Sequence, residues 1–321
     1  MTSSVYSILG QGIQTLLVLA IAPAITGVTR LVKARLMRKS GPPLLQGYRD
    51  LFKLLRKEVI VADTASWLFR VSPYLIFSLA WLAATLVPTF ATGLHFSWTG
   101  DVIVIVALLG TARFFQTLAG MDVGTAFGGM GSSRESMIAT MAEPAMLLVV
   151  LNLALIASSS RLPVIADYLV TQPLAIRVSL ALALMSLVIV ALAENARIPV
   201  DNPATHLELT MVHEAMILEY SGRHLALIEA ASQLKLVMYG SLIICLFLPF
   251  GIASVDSGPA AWFVSLVLYV GKLTLAAITL GLWEVSIAKM RVFRVGEFLG
   301  IAFIFAFLGL LLSFVTEELL R

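Results

Sequence analysis

The stretch FLGIAFIFAFLGLLLSFV at residues 298–315 decides the fold class, because it runs for 18 residues without a charged side chain. An α-helix of about 20 apolar residues crosses the roughly 30 Å of hydrocarbon in a bilayer. Similar runs predict eight membrane-spanning helices, at about 8–32, 70–90, 100–120, 137–159, 174–195, 224–251, 260–282 and 296–317. The runs are too long and too uniformly apolar for barrel strands, whereas a helix satisfies its own backbone hydrogen bonds. We therefore predict an all-α polytopic membrane protein.

The composition supports this fold class. The 321 residues are 59% hydrophobic and 13% charged, with a mean hydropathy of +0.95. Soluble domains are about 45–50% apolar and roughly 25% charged, so lipid is the main solvent of this chain. The first apolar run, near Ile8, is too long for a signal peptide and follows no basic segment. Without an internal repeat, residues 1–321 are expected to form one membrane domain, with cytoplasmic links at about 33–69, 121–136, 196–223 and 283–295.

The cysteine count excludes several cofactors. Cys245 is the only cysteine, whereas iron–sulfur clusters usually need about four thiolates. His213-Glu214 starts like a zinc protease motif, but Ile217 stands at the second histidine position. A zinc site from His206, His213 and Glu208 is a weak alternative, and Gly128–Gly131 lacks the lysine of a phosphate-binding loop. We predict no metal and no redox cofactor bound by this chain.

Basic residues concentrate in every second link, which sets the orientation. The first link holds Arg30, Lys33, Arg35, Arg38, Lys39, Arg49, Lys53, Arg56 and Lys57. The links after spans three, five and seven add Arg134, Arg197, Arg223, Lys289, Arg291 and Arg294, whereas those after spans two, four and six hold only Arg161. The odd-numbered links are therefore predicted to be cytoplasmic and both termini to lie outside. Anchoring at the cytoplasmic surface accounts for the net charge of +3, so no nucleic-acid partner is expected.

Two cytoplasmic links are unusual. Between Pro43 and Glu58, apolar residues recur at helical spacing among charged ones, which predicts an amphipathic helix in the membrane interface; a plain interfacial anchor explains the pattern equally well. The second link, 194–223, is rich in ionisable residues and has a turn or helix start at Asn202-Pro203. If 204–219 is helical, Glu208 and Glu219 share one face.

Ionisable residues in or beside the spans are candidates for a proton path. Such a side chain in a bilayer costs roughly 2.5 kcal/mol or more, and it persists where it faces a polar interior or passes protons. The candidates are Glu135, Glu143, Glu229, Lys235 and Lys272. Structural pairing is the alternative, for example Arg134 with Glu135 or Lys235 with Glu229, and the lysines could instead snorkel to an interface.

The same two links carry short motifs. The first link contains Gly41-Pro42, Leu45-Gln46 and Asp50-Leu51-Phe52-Lys53-Leu54. The second contains Glu194-Asn195-Ala196-Arg197-Ile198-Pro199-Val200-Asp201 and Glu219-Tyr220-Ser221-Gly222. These motifs resemble the G-P…L-Q…D-x-x-K-L, E-x-x-R-x-P-F-D and E-Y-S-G stretches of the complex I subunit 1 family, and especially of its membrane-bound hydrogenase branch. Hydrogenase-4 component C and formate hydrogenlyase subunit 4 are the branch members it resembles, over essentially the whole chain.

The resemblance implies a membrane anchor and ion-path subunit of a multisubunit redox complex in the prokaryotic cytoplasmic (inner) membrane. Its expected partners are peripheral iron–sulfur proteins, a hydrogenase-like large subunit that could hold a Ni–Fe centre, and antiporter-like membrane subunits. Residues matching the family's junction with the redox arm, or lying beside it, are Gln46, Asp50, Lys53, Glu194, Arg197, Asp201, His206, Glu208, His213, Glu214 and Glu219. Redox events at this junction would bias proton occupancy of Glu143 and Glu229.

Two alternatives to this function stay open. The first is a quinone-site subunit of an NADH:quinone oxidoreductase-type complex. Against it, Val200 replaces the family's phenylalanine, Ala204 and His206 stand where quinone-reducing relatives have glutamates, and three extra residues precede Glu219. The hydrogenase-like branch is therefore the better match, with a quinone as a further candidate ligand. The second alternative is a stand-alone cation/proton antiporter, whose two-repeat signature is missing from the sequence.

Overall fold

The computed structural model describes residues 2–171, 178–201, 211–291 and 294–320. In these residues the chain forms eleven α-helices and two short strands. The helices are α1 (Thr2–Leu36), α2 (Gln46–Leu55), α3 (Trp67–Leu86), α4 (Val102–Asp122), α5 (Ala126–Ala157), α6 (Leu162–Thr171), α7 (Val178–Glu194), α8 (His213–Ile217), α9 (Gly222–Phe247), α10 (Gly258–Ser286) and α11 (Val295–Leu320).

Eight of these helices are strongly apolar and correspond one to one with the predicted spans. Seven, namely α1, α3, α4, α5, α9, α10 and α11, are long and apolar enough to cross a membrane. The eighth, α7, is a shorter apolar helix of 17 residues. The prediction of an all-α polytopic membrane protein is therefore confirmed.

Most of the buried apolar residues in the described part of the chain belong to one large cluster, and three smaller clusters lie beside it. Ala302 and Ala306 of α11 are fully buried in the large cluster, and α11 packs against α5 and α7. A second group of contacts joins α3, α4 and α9. Between membrane helices, packing of small residues replaces the hydrophobic effect, because lipid tails are as apolar as the side chains.

Several helices are capped at their first turn by a side chain with a hydroxyl or carboxylate oxygen. Ser66 accepts a hydrogen bond from the amide of Leu68 at 3.1 Å, and Asp101 accepts one from Ile103 at 2.8 Å. Thr125 caps α5 through the amide of Gly128 at 3.2 Å. Each cap satisfies an amide that the first helical turn leaves without a backbone partner, and so defines where the span begins.

An even number of spans places both ends of the chain on one face of the bundle. On that face β1 (Ala91–Thr92) pairs in parallel with β2 (Ala253–Ser254). The opposite face carries the ends of α1, α4, α7 and α10 and the starts of α3, α5, α9 and α11. This second face, which includes α2 and α8, contains the links in which the basic residues concentrate.

Three predicted boundaries were wrong. Span four was expected to begin at about residue 137, but α5 begins at Ala126, so Glu135 lies well inside the helix. The glycine-rich start looked like a link, yet close packing on α4 makes it helical. Similarly, α10 extends to Ser286 and includes Glu284, which was placed after the span. The helix proposed for 204–219 is described only over residues 211–219, and there α8 is the helical part. Residues 202–210, which include His206 and Glu208, lie outside the described residues.

The predicted amphipathic helix is α2, which is shorter than the 43–58 expected. It packs against α1 and α9. Gly47 is buried against Pro23, and the Tyr48 hydroxyl donates a hydrogen bond to the carbonyl of Ala20. Phe52 and Arg56 lie on the exposed face, with the guanidinium 4.1 Å from the ring centre. One face of α2 therefore packs against α1 and α9, and the other face exposes apolar and basic side chains.

Glycine packing at the start of α5 gives a stability prediction. A Cβ at Gly128 would lie 2.1 Å from the carbonyl oxygen of Gly120, whereas a Cβ at Gly129 would meet nothing within 4 Å. Gly128→Ala should force α4 and α5 apart and destabilise the protein by about 1–3 kcal/mol, as overpacking does. Gly129→Ala is the matched control and should be neutral or slightly stabilising. Thermal unfolding of the purified protein in detergent measures both; equal midpoints would contradict the close packing.

Candidate functional site

Five ionisable side chains from four helices meet inside the bundle, and we call them the central charge cluster. Arg113 lies midway along α4 and Lys235 midway along α9. Glu135 and Glu143 are on α5, and Glu194 is the last residue of α7. The two α5 residues are eight positions apart, a spacing that places them near one helix face.

Arg113 is the centre of this cluster. Its Nε lies 3.4 Å from Glu135 Oε1 and its Nη1 lies 3.2 Å from Glu143 Oε1. Its Nη2 contacts Glu194 Oε1, and the other oxygen of Glu194 lies 2.9 Å from Lys235 Nζ. The guanidinium side chain is only 5% exposed. A planar group with five donors can bond several carboxylates at once, which a lysine cannot do in the same way.

The charges of the cluster do not balance. Among the described residues, three carboxylates face two cations, which leaves one carboxylate in excess. A surplus negative charge is costly among apolar helices, so the cluster is a candidate for the exchange of a proton or a cation.

Glu143 differs from the other acids because it opens to the outside of the chain. Its side chain is 43% exposed, against 3% for Glu194. Gly110 of α4 has no side chain to cover the Glu143 carboxylate, since a Cβ added at Gly110 would lie 3.6 Å from Oε1. The position is in the middle of α5, where lipid is a poor environment for a carboxylate.

One cavity adjoins the cluster, and a second cavity lies beside the first. The first, about 40 Å³, is the small cavity and is lined by Arg113, Gln116, Glu194 and Lys235 among others. The second, about 660 Å³, is the junction cavity and lies among α1, α8, α9 and the 195–201 link. Its ionisable lining residues are Arg30, Lys33, Lys39, Arg197, Asp201, His213, Glu214, Glu229 and Glu284. Water can enter both, because each offers several polar partners.

Ion pairs hold the walls of the junction cavity together. Glu284 of α10 is 3.2 Å from Lys33 of α1 and 3.2 Å from Arg197. Asp201 lies 2.8 Å from Lys289 and accepts a hydrogen bond from the amide of Val212 at 3.3 Å. The 195–201 link is therefore tied to α1, α8 and α10 through charged groups.

The predicted junction residues fall into two groups. Glu194, Arg197, Asp201, His213 and Glu214 line one or both cavities, as does Glu229 of the predicted proton path. Gln46 donates to Asp50 at 2.7 Å within α2, and Lys53 is exposed; none of these three lines either cavity. Glu219 is exposed beyond the end of α8.

Lys272, predicted for the proton path, lies apart from the cluster. Its ammonium donates to the carbonyls of Leu248, at 2.7 Å, and of Phe250. It also sits 3.9 Å from the centre of the Phe250 ring. These contacts cap the carboxyl end of α9, where backbone carbonyls lack partners.

The E-Y-S-G segment makes structural contacts. The Tyr220 ring stacks on Phe69 at 3.9 Å between ring centres, and its hydroxyl donates to the Phe69 carbonyl at 3.1 Å. Ser221 bonds both backbone groups of Ile60, at 2.8 and 2.7 Å. Gly222 has a positive φ of 53° and packs closely on Glu58. The motif therefore fixes the 56–66 link to the start of α9.

Both ion pairs offered as structural alternatives were wrong. Glu135 pairs with Arg113 of α4, whereas Arg134 donates to the carbonyl of Met211 at 2.7 Å. Lys235 pairs with Glu194 instead of Glu229. Arg113, the residue that organises the cluster, was missed, although a single arginine within the apolar segment 102–121 is itself a signal.

Together, the fold and the buried charges define a multi-pass membrane subunit with a polar interior. The sequence model of the NADH dehydrogenase family matches residues 11–315, and the chain belongs to this family. It is 31% identical to formate hydrogenlyase subunit 4 of Escherichia coli, covering 94% of this chain and 97% of that protein. It is 34% identical to hydrogenase-4 component C of the same organism, covering 87% of each.

A solved structure supports the fold independently. A chain from the membrane-bound sulfane sulfur reductase, an archaeal respiratory membrane complex, matches with a TM-score of 0.81 at 18% identity. The match covers 95% of this chain and 99% of the other. The predicted resemblance to the complex I subunit 1 family and its hydrogenase branch is thus confirmed by relatives, and the architecture by the solved structure.

The ion pairs of Arg113 give a second prediction. Arg113→Met leaves three carboxylates with one cation, and breaking a buried pair in this way costs about 3–5 kcal/mol. The unfolding midpoint of the purified protein should fall clearly. Adding Glu143→Gln should recover part of the loss, because it removes one unpaired charge. Arg70→Met, at an exposed position on α3, is the control and should change little; an equal effect of both arginine variants would refute the central role of Arg113.

Proposed function

We propose that this chain is the membrane anchor and ion-path subunit of a multisubunit, energy-converting redox complex of the hydrogenase type. Peripheral iron–sulfur and hydrogenase-large-subunit-like proteins supply the electron transfer, including any Ni–Fe centre. The chain supplies the buried charge cluster through which that electron transfer drives proton or sodium movement. Relatives that are named as components of formate hydrogenlyase and hydrogenase-4 support this assignment over a stand-alone antiporter.

The observation that carries the proposal is the unbalanced charge of the central charge cluster, close to a large cavity with many ionisable residues in its lining. A buried group with one surplus carboxylate holds a proton and gives it up when a nearby charge changes. The junction cavity provides that nearby environment, since Glu194 belongs to the cluster while Arg197 and Asp201 line the cavity a few residues further on. Electrostatic changes in the redox arm therefore act on the cluster over a short distance.

The partner in the membrane is inferred from Glu143. A half-exposed carboxylate at the middle of a span needs a polar neighbour from outside the chain. An antiporter-like subunit with polar or basic groups at the same depth supplies one. The proton held by the cluster then passes through Glu143 into that subunit.

The orientation follows from the basic links. These links lie on the face of the bundle that carries α2, α8 and the junction cavity. We place this face in the cytoplasm of a prokaryotic cell, at its inner membrane, with both termini on the outer side. The redox arm binds at this face.

A functional test separates electron transfer from ion movement. Glu143→Gln removes the titratable group at the exit of the cluster but keeps its size and hydrogen bonding. In the complex reconstituted into vesicles, electron transfer should persist, while ion movement per electron should fall about tenfold or more. Asp63→Asn, at an exposed link position, is the matched control. Unchanged ion movement in the Glu143 variant would sink the proposed route.

The junction cavity also favours one second candidate function, a quinone site. Its volume of about 660 Å³ is in the range of about 300–1,000 Å³ that small-molecule sites occupy. If a quinone binds there, Asp201→Asn should lower quinone-dependent turnover about tenfold, because the negative charge of a carboxylate in the cavity wall is lost. Turnover that is unchanged in quinone-depleted membranes would exclude this function.

A further inference from the structure

The small cavity and the junction cavity lie against each other. Among the described residues, five line both: Asn195, Ala196, His213, Ile228 and Ser232. Of these, only the imidazole of His213 takes up and releases a proton near neutral pH. Any proton that moves between the cavities along this boundary therefore meets one titratable group.

Helix α8 is held firmly in place, so the position of His213 is well defined. A Cβ at Gly131 would lie 2.9 Å from the Val212 carbonyl, so α8 sits directly on the backbone of α5. Asp201 accepts from the amide of Val212 at 3.3 Å, and Arg134 donates to the carbonyl of Met211 at 2.7 Å. These contacts fix the start of the helix on which His213 is the first residue.

The ring of His213 is bonded by Gln116 of α4. The amide nitrogen of Gln116 lies 3.0 Å from Nδ1 and 3.5 Å from Nε2. The contact with Nδ1 is the shorter one, so the amide joins the ring mainly at that nitrogen. Because the side-chain amide offers a carbonyl as well as N–H groups, rotation of that amide supports the ring in either protonation state.

We propose that His213 is the proton relay between the junction cavity and the central charge cluster. This role rests on the proposed function. It gives His213 the transfer of the proton from the junction cavity, a step that the residues of the central charge cluster do not perform. When the Gln116 amide is turned so that its oxygen accepts from Nδ1–H, Nε2 of the neutral imidazole is the free acceptor. Nε2 then binds a proton that arrives through the water of the junction cavity, giving an imidazolium with a proton on each nitrogen. It then releases one proton through the small cavity, which is lined by Glu194 and Lys235, and returns to the neutral form.

The surroundings of His213 favour rapid return to the neutral form. Burial lowers the pKa of His213 below its usual value. Three carboxylates raise the pKa of His213 again: Glu135 of α5 has the largest effect, followed by Glu214 of α8 and Asp201 of the link. The ammonium of Lys235 on α9 lowers the pKa further. A group that is neutral at rest but surrounded by carboxylates accepts a proton briefly and passes it on.

The experiment uses the whole complex reconstituted into vesicles, with electron transfer and proton movement measured together. His213→Gln keeps a hydrogen-bonding side chain for Gln116 but cannot relay a proton; His213→Ala leaves space for added imidazole. Proton movement per electron should fall about tenfold or more in both variants. Added imidazole should restore it in His213→Ala and not in His213→Gln. His95→Gln, at an exposed position of an outer link, is the control and should behave like the unchanged protein.

The outcomes separate this inference from the proposed function. Rescue by imidazole is a response that a merely structural role for His213 would not give. Wild-type proton movement in His213→Gln, or a loss in His213→Ala that imidazole does not restore, would overturn the relay while the Glu143 result still supports the ion path. If the unchanged complex moves sodium and no protons, the relay is overturned although the ion-path function stands. If the unchanged complex moves no ions at all, the proposed function itself fails.

Discussion

The buried guanidinium of Arg113 is the interaction on which the rest of the structure depends. One planar cation contacts carboxylates from α5 and α7, and through Glu194 it is linked to Lys235 of α9. Lipid offers no polar partners that could replace these contacts, so the ion pairs constrain how the four helices are rotated and at what depth they meet. That arrangement determines where the cavities, the 195–201 link and α8 lie.

Hydropathy was sufficient to predict the spans, because the cost of exposing a backbone to lipid leaves helices as the main solution. It failed at the start of α5, where glycines at Gly120, Gly128 and Gly131 allow contact with α4 and α8 and so make a helix from a segment that reads as a link. The motifs at Glu194 and Asp201 were visible in the sequence, and the structure places both residues at the cavity walls.

The pairing of the charges could not be predicted, since it depends on how each helix is rotated against its neighbours. Glu143 and Lys235 were candidates because charge is rare in the spans, and the same reasoning applied to Arg113 would have found the fifth member of the cluster. The contact between His213 and Gln116 joins residues 97 positions apart and has no sequence signal at all. The local sequence pattern identifies charged residues that cost free energy in the bilayer, whereas tertiary packing determines which of them share a site.

The open side of Glu143 also bears on the stability of a single copy of the chain. A carboxylate that is 43% exposed at mid-span faces lipid when the chain is alone in the bilayer. In the complex proposed above, a neighbouring protein covers that group. Burial of this one side chain would therefore make the assembled chain more stable in the bilayer than a separate one.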